Sequence, residues 1–174
     1  MNLLISACLL GISCRYDGRS KPLSQLDRLL QSDCHLVPIC PEILGGLPTP
    51  RAPSERRGNR VVACDGRDVT ENYRRGAAEA LRLTRLTRCT CALLKERSPS
   101  CGCGRIYDGM FTGTLTDGNG VAAELLLQNG IRVFGESQLD ELLDFIRSSA
   151  LKNLLNRTAK SLRNNAYDLF FSRC

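Results

Sequence analysis

Tryptophan is absent and aromatic residues make up only 5% of the 174-residue chain, so the core has to be built from Leu, Ile, Val and Ala. No apolar run approaches the length of a membrane span, which excludes a helical membrane protein. The opening MNLLISACLL has no basic residue ahead of its short apolar stretch, which does not fit a secretion signal. The expected location is therefore the cytoplasm. Repeats and low-complexity segments are also missing, and no nucleic-acid motif accompanies the net charge of +6. That charge is uneven: Lys152, Arg157, Lys160, Arg163 and Arg173 against Asp168 put +4 in the segment from Ser148 onward and leave +2 in the body.

What is abundant is cysteine, with ten residues. In a reducing compartment these are buried apolar fillers, reactive thiols or metal ligands rather than disulfides. Deciding which are which requires their places in the fold.

Four short apolar runs predict strands: Leu3–Ala7, His35–Cys40, Cys91–Leu94 and Ile131–Phe134. Pro38 weakens the second, because proline gives no ladder hydrogen bond. Helices are predicted over Leu23–Gln31 with Ser24 as cap, after the capping box Asp68-x-x-Glu71, over Val121–Gln128 with a stop at Asn129-Gly130, and from Ser137 to about Arg147. In the second of these helices Tyr73, Ala77, Ala80, Leu81 and Thr84 share one face. Strands alternating with helices imply an α/β fold with an open, mostly parallel, Rossmann-like sheet and flanking helices. Residues 1–147 form the α/β domain in this reading, and residues 148–174 add a basic amphipathic C-terminal helix that packs on the body or on a second copy. Two long loops stand out, Pro41 to about Glu55 and Lys95 to about Gly118, and loops of that length in a compact domain usually carry function. Val61 and Val62 are a weak strand candidate.

Cys8 closes the first strand, Cys40 the second, and Cys101 follows the Cys91 strand. In open parallel sheets ligands bind beyond the carboxyl ends of the strands, so three thiols far apart in sequence are expected to converge there. Thiolates select zinc, cuprous copper or iron–sulfur. A structural zinc site is normally closed by four protein ligands, and no fourth residue stands in the same strand-end setting. The single histidine, His35, opens its strand and belongs at the opposite edge. On spacing alone, a cluster, another metal and three ordinary buried cysteines all remain open.

The motifs go further. Ser6-Ala7-Cys8-Leu9-Leu10-Gly11, Arg15-Tyr16-Asp17-Gly18, Cys40-Pro41-Glu42 with Gly45-Gly46-Leu47, and Pro50-Arg51-x-Pro53-x-Glu55 are followed by Asp68-Val69-Thr70, Ser98-Pro99-Ser100-Cys101-Gly102, Ile106-Tyr107-Asp108-Gly109 and Gly118-x-Gly120-Val121. In this order, from about Met1 to Glu136, they resemble the bacterial family that includes the 2-thiouracil desulfurases. The resemblance implies a 4Fe-4S cluster held by Cys8, Cys40 and Cys101, with one iron open for a substrate sulfur. It implies a non-redox desulfuration of a thiolated pyrimidine base or nucleoside that releases hydrosulfide. A thiolated tRNA is the larger variant of that substrate, on which the basic C-terminal segment would bear. Oligomeric state stays open.

Water attacking the thiocarbonyl carbon needs a base, and Glu42, two residues from a ligand, is the candidate; a partly desolvated loop is expected to raise its pKa. Pairing with Arg51 is the structural alternative. Ser98 and Ser100 are candidates to hold the substrate or bond a cluster sulfur, and Arg15, Arg51 and Lys95 to orient the base or a phosphate. Tyr107 is a candidate to stack on the base. Cys14 and Cys103 are extra thiols beside the implied ligands, and Met110 and Ala122 stand where relatives are expected to carry threonine. A non-catalytic zinc- or cluster-binding module and a thiol redox protein using Cys101 and Cys103 are the alternative readings.

Overall fold

A computed structural model describes residues 1–152, 154 and 155. Its centre is a four-stranded parallel sheet of β1 (Asn2–Ser6), β2 (His35–Ile39), β5 (Cys89–Leu94) and β8 (Arg132–Gly135), in the order β2-β1-β5-β8. The four predicted strands are these four, each within two residues of its expected bounds. Pro38 is accommodated because β2 is an edge strand, where only one side of the backbone has a ladder to satisfy.

Side chains alternate along the strands and divide the core into two layers. Leu3, Ile5, Cys91, Leu93 and Phe134 face one layer with Leu29, Leu139, Leu142, Leu143 and Ile146. Leu4, Ala92, Leu94 and Val133 face the other with Ala80, Leu81, Ala123 and Leu126. The first layer is supplied by α1 (Leu26–Leu30) and a helix over residues 139–152, α5. The second is supplied by α3 (Thr70–Leu86) and α4 (Val121–Gln128). Both faces are thus covered, which explains why the strands read as continuous apolar runs.

Local differences from the sequence reading have local causes. Helix α1 begins only at Leu26, and Ser24 makes no cap bond. The capping box does not form: the N-cap of α3 is Val69, Asp68 Oδ1 accepts the Thr70 N–H at 2.9 Å from one residue further out, and Glu71 pairs with Arg74. Ser137 lies in a 3-10 turn, Glu136–Gln138, and its N–H and hydroxyl both go to Glu96. The helix behind it then runs on through Ser148. Most of the C-terminal segment expected to form a separate amphipathic helix lies outside the described residues.

Both long loops contain structure. The first holds a single helical turn, α2 (Pro41–Leu44), and leads into an antiparallel hairpin of β3 (Ser54–Arg57) and β4 (Arg60–Ala63). The second carries a small hairpin of β6 (Arg105–Tyr107) and β7 (Leu115–Asp117). Among the described residues, no helix is long and apolar enough to cross a membrane.

Candidate metal centre

All four parallel strands end at one edge. The strand order changes direction between β1 and β5, because β1 continues to β2 on one side while the later strands add on the other. The crevice outside the carboxyl ends at such a switch point is where doubly wound sheets bind ligands. A cavity of about 690 Å³ lies there, and its lining includes Ser6 at the end of β1, Cys8 just beyond it, Ile39 and Cys40 at the end of β2, Lys95 after β5 and Glu136 after β8.

Cys8 is buried in the 3-10 turn Ala7–Leu10 that follows β1. The loop behind it doubles back, Lys21 N–H donating to the Cys8 carbonyl at 3.0 Å, and returns a buried Cys14 to the same wall. Cys40 immediately precedes α2, which is pressed against α3 so closely that only glycine fits at two contacts. A Cβ on Gly76 would stand 1.9 Å from the Pro41 carbonyl oxygen, and one on Gly45 would stand 2.1 Å from that of Asn72. This packing fixes both Cys40 and Glu42. Cys101 is held by Ser98, whose Oγ accepts the N–H groups of Ser100 and Cys101 at 3.1 and 3.2 Å.

Cys8, Cys14, Cys40 and Cys101 therefore border one cavity. Cys40 Sγ donates to the Cys14 carbonyl at 3.7 Å, and the thiols of Cys8 and Cys40 both act on that of Cys14. Cys40 is pushed strongly up by the neighbouring Cys14 and by burial. Cys40 pulls Cys14 down, but Cys8 and burial outweigh this and leave it raised. Burial pushes Cys101 up to about 12. Crowded thiols held neutral in this way become thiolates only when a cation compensates them, which is the chemistry of a soft metal site. Ser100 adds a second sign: it is 0% exposed and its Oγ has no hydrogen-bond partner. An orphaned buried hydroxyl one residue from Cys101 suits an incoming acceptor. Among the described residues, no three Cys, His, Asp or Glu donors are gathered tightly enough for a single metal ion. Four thiols on one cavity wall are a soft donor set, which suits iron–sulfur.

Beside the thiols, the Glu42 carboxylate is ion-paired, not isolated in the loop. Arg51 donates to its Oε2 from Nε at 2.8 Å and from Nη2 at 2.6 Å, and Ser98 Oγ lies 3.5 Å from its Oε1. Arg51 is fully occupied, since it also donates to the carbonyls of Pro48 and Cys14 and to Thr49 Oγ1. Arg15 pairs with Asp17 at 3.2 Å, and Lys95 pairs with Glu136 at 2.5 Å. These three cations line the cavity, as do Glu42, Ser98 and Tyr107, but Ser100 does not. Cys103 is absent from the lining and packs against the α3–α4 layer, while His35 opens β2 at the opposite end from Cys40.

Tyr73 and Ser6 are among the cavity residues that the sequence does not single out. Tyr73 is 1% exposed, and burial together with the neighbouring Glu42 holds its hydroxyl well above the usual range. Its position on the apolar face of α3 made it look like core alone. Ser6 was legible in principle, as the last residue of the first strand.

The family model for 2-thiouracil desulfurase matches residues 3–138. The chain is 43% identical over 151 residues to the uncharacterized protein YbbK of Bacillus subtilis (strain 168), covering 81% of this chain and 99% of that protein. Among solved structures it is similar to the [4Fe-4S]-dependent thiouracil desulfidase TudS (DUF523Vcz), with 48% identity, a TM-score of 0.78, and coverage of 84% of this chain and 97% of that one.

Proposed function

Because the chain belongs to the 2-thiouracil desulfurase family, we propose that it is a non-redox desulfurase that converts the thiocarbonyl of a pyrimidine base or nucleoside to a carbonyl, releasing the sulfur as hydrosulfide. The observation that carries this reading is the meeting of Cys8, Cys40 and Cys101 with Glu42 around one cavity at the switch point of the sheet. Cys8, Cys40 and Cys101 would hold a [4Fe-4S] cluster, the cofactor on which TudS depends by its name. When bound, the cluster supplies a Lewis-acidic iron with an open position for a soft sulfur.

The residues of the chain handle the water and the protons. Water adds to the carbon, the carbon–sulfur bond breaks, and one water oxygen replaces one sulfur, so no electrons are exchanged with the protein. Glu42 Oε1 takes a proton from the attacking water, while Arg51 on Oε2 keeps the carboxylate turned toward the cavity. Ser98 accepts two backbone N–H groups, so its own proton is left for Glu42 or for the water between them. It thereby ties the base to the loop that bears Cys101. Arg15 and Lys95 act from the rim, each steadied by its carboxylate partner.

The Cys101–Cys103 redox alternative is disfavoured by the position of Cys103 outside the cavity wall. The test is anaerobic purification followed by iron and sulfide analysis and incubation with 2-thiouracil. Roughly four irons per chain and stoichiometric formation of uracil and sulfide are expected. Iron-free protein, or loaded protein that leaves thiouracil intact, sinks the proposal.

A further inference from the structure

Ser6 is the last residue of β1, is 2% exposed and borders the cavity. Its Oγ accepts the backbone N–H of Lys95 at 2.9 Å, one residue beyond the end of β5. A hydroxyl offers one proton and two lone pairs. The Lys95 bond uses a lone pair and leaves the proton to find an acceptor, at a buried position where an unmade hydrogen bond is costly. The acceptor on the same cavity wall is the buried sulfur of Cys101, whose thiol the Ser6 side chain pulls down against the rise caused by burial. The Lys95 contact thus turns the hydroxyl: with one side taken by a donor, it has only its hydrogen to offer to the thiol.

We propose that the Ser6 hydroxyl donates to the Cys101 sulfur and is a positioning residue that anchors and tunes this thiolate when it holds the cluster. The inference rests on the cluster reading above. Cys8 and Cys40 have Cys14 beside them, whereas Cys101 has the Ser6 hydroxyl on its wall of the cavity. A bond from Ser6 draws charge from the Cys101 sulfur. That raises the cluster potential and leaves its irons better acceptors for a soft substrate sulfur, because hydrogen bonds to the sulfurs are among the determinants of cluster potential. Losing such an outer partner typically costs about 10–100-fold in metal affinity or activity.

The experiment compares wild type, Ser6→Ala and Ser6→Thr as anaerobically loaded proteins, reading iron and sulfide per chain, the midpoint potential of the cluster and sulfide release from 2-thiouracil. Ser6→Ala is expected to show a more negative potential and about 10–100-fold slower release, and Ser6→Thr, which keeps the hydroxyl, to restore both. An unchanged potential in Ser6→Ala overturns the inference, as does a Ser6→Thr protein displaced as far as Ser6→Ala. If Ser6→Ala fails to load iron, Ser6→Thr decides: loading with the wild-type potential sustains the inference, and failure to load overturns it. Wild-type protein without iron overturns the cluster reading itself and this inference with it.

Discussion

Cys91 and Cys101 are both buried, and burial pushes both thiols up to about 12, yet only Cys101 borders the cavity. Cys91 lies in mid-strand, paired in register with Leu3 and facing the layer filled by α1 and α5. Cys101 lies past the end of β5, in a loop whose backbone is pinned by Ser98. The two thiols differ in address rather than in burial. A sulfur in the apolar layer is a small hydrophobe, whereas one at the carboxyl edge of the sheet meets other thiols, hydroxyls and a carboxylate.

Substitutions test this contrast. Cys8→Ser, Cys40→Ser or Cys101→Ser is expected to reduce iron from roughly four per chain to near zero and to abolish sulfide release. Cys91→Ala keeps its iron and loses only about 1 kcal/mol of stability. Iron analysis with thermal denaturation checks both, and iron loss in Cys91→Ala breaks the comparison. Glu42→Gln separates holding from catalysis: iron stays and release falls by about 10²–10⁴-fold. Persistent turnover in that variant moves the base elsewhere. Gly76→Ala drives a Cβ into the Pro41 carbonyl and costs about 1–3 kcal/mol. It also lowers iron occupancy, since α2 carries Cys40 out of register, and chemical denaturation with an iron assay follows both effects. Cys103→Ser, two residues from a proposed ligand but off the cavity wall, changes stability by less than about 1 kcal/mol and leaves the iron content alone. Loss of iron there would show that position in the cavity is not what selects the ligands.

The sheet was legible because two-sided burial leaves continuous apolar runs, and the edge position of β2 resolves the apparent objection from Pro38. The hairpins β3–β4 and β6–β7 were not, apart from the weak signal at Val61 and Val62. Their strands are three or four residues long and rich in arginine or threonine, and their pairing is decided by what they cover rather than by their own pattern. The convergence of Cys8, Cys40 and Cys101 on one cavity followed from their places after strands. The closeness of Cys14 to Cys8 and Cys40 did not, because it depends on a loop returning on itself.

By itself the sequence determined the alternation of strands and helices, the parallel sheet that such alternation forces, and the edge at which thiols collect, because periodicity and strand ends are properties of neighbouring residues. Tertiary structure alone decided which side chains are already occupied. Arg51 is saturated by Glu42 and three loop oxygens, and Ser6 is turned by an amide 89 residues away. Hydrogen bonds of that span are set by packing distance and by the need to satisfy every buried polar group, and no local pattern in the chain encodes either.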